Sequence, residues 1–253
     1  IECGFCESYC PSKSLTMTPR RRINILRELE ILKEQGEDPL VISSIKKDLS
    51  FHFMDTCATD GLCSVACPVN INTGELIKIV RKQKRSDITN NIALFSANHF
   101  RHTTRLMQLT GKIVDDLGGI FGWKYLESIS KKINNCTNRI FPVISQSMRI
   151  SSSYLPIEGI NPNIKNNLIY FPSCVTRHLQ TGSNQNVRVP DRIKSLCQKA
   201  GYSFTYPKNM PSLCCGMPYA SKGFQMAFNA MTNRISDSFE KTIQNGENII
   251  ITD

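Results

Sequence analysis

Six of the chain's eleven cysteines form two groups of three, and each group ends in a Cys-Pro dipeptide. The groups are Cys3, Cys6 and Cys10, followed by Pro11, and Cys57, Cys63 and Cys67, followed by Pro68. Thiolates are soft anionic ligands that hold iron well, and a cubane cluster needs four of them converging from the loops around it. Two groups of this kind predict a pair of iron-sulfur clusters.

Zinc is the alternative metal, because paired cysteines also form tetrahedral zinc sites. A zinc site requires neither the Cys-Pro ending nor two copies of one spacing, whereas a two-cluster protein has both. We therefore favour clusters over zinc.

The spacing follows the bacterial ferredoxin run C-x2-C-x2-C-x3-C-P, whose fourth cysteine serves the other cluster. The first group matches its last three cysteines, and the first cysteine of the run would precede Ile1. If the last cysteine of each group binds the cluster of the other group, two ligand sets follow. One contains Cys3, Cys6, Cys67 and the upstream cysteine, and the other contains Cys10, Cys57 and Cys63. Because the motif starts ahead of Ile1 and the chain stops directly after a predicted strand, we expect a piece of a longer protein.

The second group carries Asp60 at the position of one cysteine. A carboxylate oxygen is a harder ligand than sulfur, so the iron at this corner is bound by Asp60, bound by solvent, or lost to leave a 3Fe-4S cluster. The alternative is structural: Asp60 and Gly61 form an Asp-Gly turn that shapes the loop.

Three further cysteines, Cys174, Cys214 and Cys215, predict a third metal site. Cys214 and Cys215 are adjacent and precede Gly216. Two neighbouring thiolates can bind one cluster from a single loop, and the glycine gives the backbone room to approach it. Buried, inert cysteines are the alternative. We predict core packing for Cys136 and Cys197, each alone in a predicted helix.

The elements that position these residues are mainly helices. Residue pairs typical of helix starts occur at Thr18-Pro19 and Asp38-Pro39, and a third helix is predicted to begin at Thr73. Residues 86–150 have helical apolar spacing, and residues 151–165 are typical of a linker. Strands are predicted at 168–171, 202–206 and 248–252.

These elements predict an α+β fold class. We expect a mostly helical two-cluster domain over residues 1–80, a helical segment with a linker over 81–165, and part of an α/β domain over 166–253.

Composition and charge indicate the cellular compartment of the protein and the partners that suit it. The 253 residues carry a net charge of +10, and the clustered cysteines without a signal segment indicate a reducing, cytoplasmic compartment. The apolar runs are too short to span a bilayer. The basic runs at 20–22 and 81–85 suggest a solvated face, and we expect no nucleic-acid partner. The charge also suits peripheral docking on the inner face of a membrane.

The cysteine motifs resemble a known family, the FAD-linked D-lactate or D-2-hydroxyacid dehydrogenases that contain iron-sulfur clusters and are related to glycolate oxidase iron-sulfur subunits. The resemblance rests on ECGFCE (2–7), CPSKSLTMTPR (10–20), CATDGLCSVACP (57–68) and INTGEL (71–76). Cys174 with Cys214-Cys215-Gly216 is similar to the first half of the cysteine-rich CCG domain, shared with heterodisulfide reductase subunits.

The resemblance implies a two-cluster domain of the alpha-helical ferredoxin type, followed by a partial CCG domain. It also implies an upstream FAD domain that oxidises a D-2-hydroxy acid and passes electrons through the clusters to a quinone or cytochrome. Asp60 is ordinary for such a family. The alternatives are a subunit of an anaerobic glycerol-3-phosphate dehydrogenase or heterodisulfide reductase, and a cluster-binding module without turnover.

Overall fold

The computed structural model describes residues 3–136, 143–145, 148–150, 167–181, 188–243 and 249–253. The chain divides into two compact units. The first contains the chain up to Leu94 together with Gly216–Phe228, and the second contains Phe95–Cys215 together with Asn229–Asp253. The predicted boundaries at residues 80 and 165 stay predictions, and the predicted linker at 151–165 lies outside the described residues.

The described residues are mostly helical, with short strands in the second unit. The helices are α1 (Pro19–Glu34), α2 (Pro39–Ser50), α3 (Leu62–Val65), α4 (Thr73–Gln83), α5 (Asp87–Asn98), α6 (Phe100–Phe121), α7 (Trp123–Cys136), α8 (Cys174–His178), α9 (Val189–Lys199), α10 (Met217–Lys222) and α11 (Gln225–Thr242). The strands are β1 (Met148–Ile150), β2 (Asn167–Phe171), β3 (Leu179–Thr181), β4 (Ser203–Thr205) and β5 (Ile249–Thr252). The predicted α+β class is confirmed.

Side-chain caps begin the helices of the first unit where the sequence predicts them. Thr18 Oγ1 accepts the N–H of Arg21 at 3.5 Å, and Asp38 Oδ1 accepts the N–H of Leu40 at 2.8 Å. These caps satisfy N–H groups that have no partner within the helix. A π-helical turn, Phe51–Asp55, follows α2 directly and leads into the second cysteine group.

The core of the first unit lies beside that turn. Phe53, Met54 and Ile77 are buried, and the partly buried Cys57 packs against them. The second cysteine group is therefore anchored to a dry apolar cluster.

A three-stranded parallel sheet organises the second unit, with the strand order β4-β2-β5. The three predicted strands are confirmed within one residue at each end. Leu168, Tyr170, Phe204 and Cys197 form a buried core against this sheet, so the prediction that Cys197 packs in the core is confirmed. The antiparallel pair of β1 and β3 was not predicted.

Helices α6 and α7 form a hairpin in the same unit. Gly122 connects them at φ 85°, in the left-handed region that favours glycine. Cys136 is the last residue of α7 and is exposed, so the prediction of a core role for it is wrong: helix α7 buries Ser130, on another side of the helix. In the described part of the chain, no helix is long and apolar enough to cross a membrane.

Candidate metal centres

The six cysteines of the two ferredoxin-type groups differ in exposure. Cys10 and Cys63 are buried, Cys6, Cys57 and Cys67 are partly buried, and Cys3 is exposed. The first group lies in consecutive turns, in which the N–H of Glu7 bonds the carbonyl of Gly4 and the N–H of Cys10 bonds that of Glu7. In the second group, Cys57 follows the π-helical turn, Cys63 lies in the short helix α3, and Cys67 follows that helix.

Three thiols from the two groups lie near one another. Burial raises the pKa of the Cys6 thiol, and the neighbouring thiols of Cys63 and Cys67 and the carboxylate of Glu7 raise it further. Mutually repelling thiolates need a cationic partner, which iron supplies. Of these two neighbours of Cys6, the predicted exchange assigns Cys67 to the same cluster as Cys6 and Cys63 to the other cluster.

Zinc and a four-iron cluster would need different arrangements of these thiols. Zinc draws its ligands to about 2.3 Å from a single atom, whereas a four-iron cluster takes its thiolates at separate irons around a cage of iron and sulfide. Across the described ranges, no three His, Cys, Asp or Glu side chains form a group placed to hold a single metal ion. The ligand sets themselves stay predictions.

A buried arginine ties the segment before Cys57 to helix α1. Arg22 is 1% exposed; its Nε donates to the carbonyl of Phe53 at 3.0 Å and its Nη2 donates to Thr56 Oγ1 at 3.1 Å. Ser12, two residues after Cys10, donates to the carbonyl of Thr56. The two cysteine groups are thus held together through the backbone around Thr56.

Arg81 on α4 holds the same segment from another side. Its Nη2 donates to the carbonyls of Met54 and Cys57, the latter at 2.9 Å, and its Nη1 donates to the carbonyl of Ser221. Burial lowers its pKa, although the nearby Cys57 and Asp55 act in the opposite direction. The interpretation of the basic runs as a solvated face is therefore wrong for Arg22 and Arg81, because their guanidinium groups satisfy buried carbonyls.

Asp60 shapes the loop between Cys57 and Cys63. It is exposed, and its Oδ1 accepts the N–H of Leu62 at 3.1 Å, while Gly61 has a φ of 79° at the start of α3. This is the contact that the Asp-Gly turn interpretation predicts. Ligation of iron by Asp60 stays a prediction.

The roles of two residues, Thr59 in this loop and Asn72 just before α4, were not expected from the sequence. Thr59 has a φ of 56°, which is rare for a β-branched residue, and its buried Oγ1 has no hydrogen-bond partner among the described residues. Asn72 caps α4 through Oδ1, and the Cys63 thiol lies 3.9 Å from the same oxygen. Only the cap residue had a sequence signal, because asparagine is a common residue before a helix.

The second unit brings two of its three predicted ligands together. Cys174 begins α8 after β2, and the Cys214 Sγ donates to the Cys174 Sγ at 3.7 Å. The hydrogen bond from Cys214 lowers the pKa of Cys174 to about 7, although burial opposes the shift. Cys215 is exposed, and it lies near enough to Cys174 to act against this lowering of the pKa.

Two charged side chains, Arg177 and Asp253, hold the segments next to this thiol pair through hydrogen bonds. Arg177 is 1% exposed, and it donates to the carbonyls of Met210 and Leu213 in the segment that leads to Cys214. Asp253 accepts the N–H of Ser173 at 2.7 Å, next to Cys174, and the hydroxyl of Tyr170 at 3.0 Å. The loops that carry the two thiols are therefore held by polar contacts, and those of Arg177 are buried.

The fold and its thiol groups define a protein with one cysteine-rich site in each of its two units. The family model for the 4Fe-4S dicluster domain matches residues 1–71. The family model for the cysteine-rich domain matches residues 168–253. No curated protein and no solved structure matches the chain. The chain is thus an iron-sulfur module of the kind that redox enzymes use for electron transfer.

Proposed function

We propose that this chain is the electron-relay part of an FAD-linked D-2-hydroxyacid dehydrogenase of the D-lactate or glycolate type. A flavin domain or subunit oxidises the hydroxy acid, and a quinone or cytochrome receives the electrons. When bound, the clusters would accept electrons singly from a flavin that receives a hydride as a pair. The proposal rests on the motif resemblance and on the geometry of the first unit.

One observation carries the electron-relay part of the proposal: the thiols of Cys63 and Cys67 lie near enough to the Cys6 thiol to raise its pKa, so thiols of two separate motifs are neighbours. The residues around them have a supporting role. Phe53, Met54 and Ile77 exclude water behind the second group. Arg22 and Arg81 fix the backbone at Phe53, Met54 and Cys57, so the ligand loop needs little rearrangement when iron binds.

The experiment uses the full-length protein, purified anaerobically, with iron and sulfide analysis and EPR before and after addition of D-lactate or glycolate. We expect about eight irons from the two ferredoxin-type clusters, or about seven if the Asp60 corner is open. The hydroxy acid should reduce the clusters, and the reduced clusters should be reoxidised by a quinone analogue.

Three other outcomes of this experiment would contradict the proposed function. Stoichiometric zinc without sulfide would overturn the cluster assignment. Clusters that accept electrons from glycerol 3-phosphate or a dithiol, and not from a 2-hydroxy acid, would move the protein to the alternative reductase classes. If none of these substrates reduces the clusters, the protein would be a cluster-binding module without turnover.

A further inference from the structure

The outward side of helix α6 carries a continuous row of aliphatic side chains. Its members, called here the outer stripe, are Leu106, Leu109, Ile113, Leu117 and Ile120. They are three or four residues apart, so they share one face of the helix. Their exposed fractions run from 37% for Leu117 to 74% for Ile120.

The opposite side of α6 faces the interior of its own unit. Thr104 and Gly118 are buried there, and Gln108 bonds the ring of His178 at 2.8 Å. Helix α6 is therefore anchored through one face while an apolar face remains in solvent. The anchoring fixes which face points outward.

The apolar surface continues around the turn between α6 and α7. Phe121 is 61% exposed and Tyr125 is 60% exposed. Together with Ile120 they form a hairpin tip of large apolar side chains. Exposed apolar surface of this extent marks an interaction site rather than scattered surface residues.

The charges beside the stripe identify the partner. Arg105, Lys112, Lys124 and Lys132 are exposed on the two helices. Asp116 is an exposed acidic neighbour, whereas Glu127 is engaged by Lys131 at 2.7 Å. The whole chain has a net charge of +10. An apolar stripe with a basic border fits a partner that has an apolar interior beneath an anionic surface layer.

We propose that the outer stripe and the hairpin tip dock on an anionic lipid bilayer. The 22-residue α6, about 33 Å long, lies in the plane of the interface. Its aliphatic side chains enter the boundary between headgroups and acyl chains, and the basic side chains contact lipid phosphates. A second copy of the chain fits less well, since it would bring Arg105 and Lys112 against another basic border.

The test is vesicle flotation of the full chain with its clusters assembled anaerobically. Phosphatidylcholine vesicles are compared with vesicles that contain about 30 mol% phosphatidylglycerol, at low and high salt. The main variant combines Leu109→Glu with Ile113→Glu, and Ile120→Glu tests the tip separately. The matched control is Leu196→Glu on α9, where the leucine is 62% exposed.

We expect the wild type to bind anionic vesicles at least about tenfold better than neutral ones, with binding that weakens in salt. Both stripe variants should lose about tenfold or more, while the control keeps wild-type binding. Equal binding by the stripe variants would overturn the proposal. A wild type that is dimeric without lipid and becomes monomeric in the variants would also overturn it.

The docking proposal goes beyond the relay function and can fail independently of it. Iron content and circular dichroism are measured for each variant. If the stripe variants keep full iron content, a change in their flotation reports on docking and not on the clusters. If the wild type and all variants have low iron content, that result counts against the relay function and not against docking.

Discussion

At the scale of single residues, cysteines of one chemical type have different surroundings and therefore different expected roles. Cys63 is buried beside Asn72, with the Cys6 thiol nearby. Cys197 lies in an apolar core, and Cys136 is exposed at a helix end. Only the first of these environments groups several thiols, which is what a cluster requires.

Replacement of Cys63 by serine should remove one of the two predicted clusters. The hydroxyl is a poor substitute for a thiolate, so iron and sulfide should fall by about half, from about eight to about four of each. Iron analysis and EPR on anaerobic protein measure this. Cys136→Ser is the matched control and should keep full iron; equal iron in both variants would contradict the ligand assignment.

Arg22 should contribute to folding through its buried hydrogen bonds. Arg22→Met removes donors to the Phe53 carbonyl and to Thr56 Oγ1. Unsatisfied buried acceptors should cost about 2 kcal/mol, which lowers the thermal midpoint by about 4–8 °C. Arg21→Met, at an exposed neighbouring arginine, should shift the midpoint by less than about 2 °C. Comparable shifts in the two variants would show that burial of Arg22 is not what stabilises the fold.

In metal-free protein, the thiol of Cys174 should react at unusually low pH. Its pKa is about 7, mainly because Cys214 donates a hydrogen bond to it, whereas an ordinary thiol has 9.0. The alkylation rate, measured by peptide mass spectrometry, should therefore rise through pH 7, and Cys214→Ala should move that midpoint towards 9. A folded-state pKa below the unfolded value also means that this thiol adds stability as pH rises from about 7 to 9. A midpoint unchanged by Cys214→Ala would exclude this hydrogen bond as the cause.

At the scale of elements, local signals predict much of the fold. Thr18-Pro19 and Asp38-Pro39 are true helix starts because a cap needs only neighbouring residues. The π-helical turn and the left-handed Thr59 were not predictable, since tertiary contacts around Cys57 impose them. The burial of Arg22 and Arg81 was also missed, because a basic run does not reveal which carbonyls it will meet.

Two adjacent glycines of α6 should respond oppositely to the same substitution. A Cβ on Gly118 would lie 2.6 Å from the Trp123 ring, whereas a Cβ on Gly119 would meet nothing within 4 Å. Gly118→Ala should therefore destabilise the protein by about 1–3 kcal/mol, and Gly119→Ala should stabilise it by up to about 1 kcal/mol.

Thermal unfolding measures both changes, and the fluorescence of Trp123, the one tryptophan in the sequence, reports the packing of the hairpin. A shifted emission maximum is expected only for Gly118→Ala. Unchanged fluorescence and stability in that variant would mean that α6 and α7 do not pack through this contact.

At the scale of the whole molecule, each unit has its own core and its own cysteine group. The residues of a unit are not all contiguous: α10 belongs with the first unit, where Arg81 on α4 bonds the carbonyl of Ser221. Sequence patterns predicted the two cysteine-rich ends of the chain. They did not predict that α10 belongs with the first unit, because a hydrogen bond between residues 140 positions apart leaves no local signal.

Removal of iron should therefore affect the first unit selectively around its ligand loops. The thiols of Cys6, Cys63 and Cys67 repel one another as thiolates, so chelation leaves them protonated and without a shared partner. We expect hydrogen exchange to accelerate by about tenfold or more at residues 3–17 and 57–68, while α6 keeps its protection. The measurement is exchange mass spectrometry before and after anaerobic chelation. Equal loss of protection in α6 would indicate that iron stabilises the whole chain, whereas no loss in the ligand loops would show that the buried arginines alone hold them.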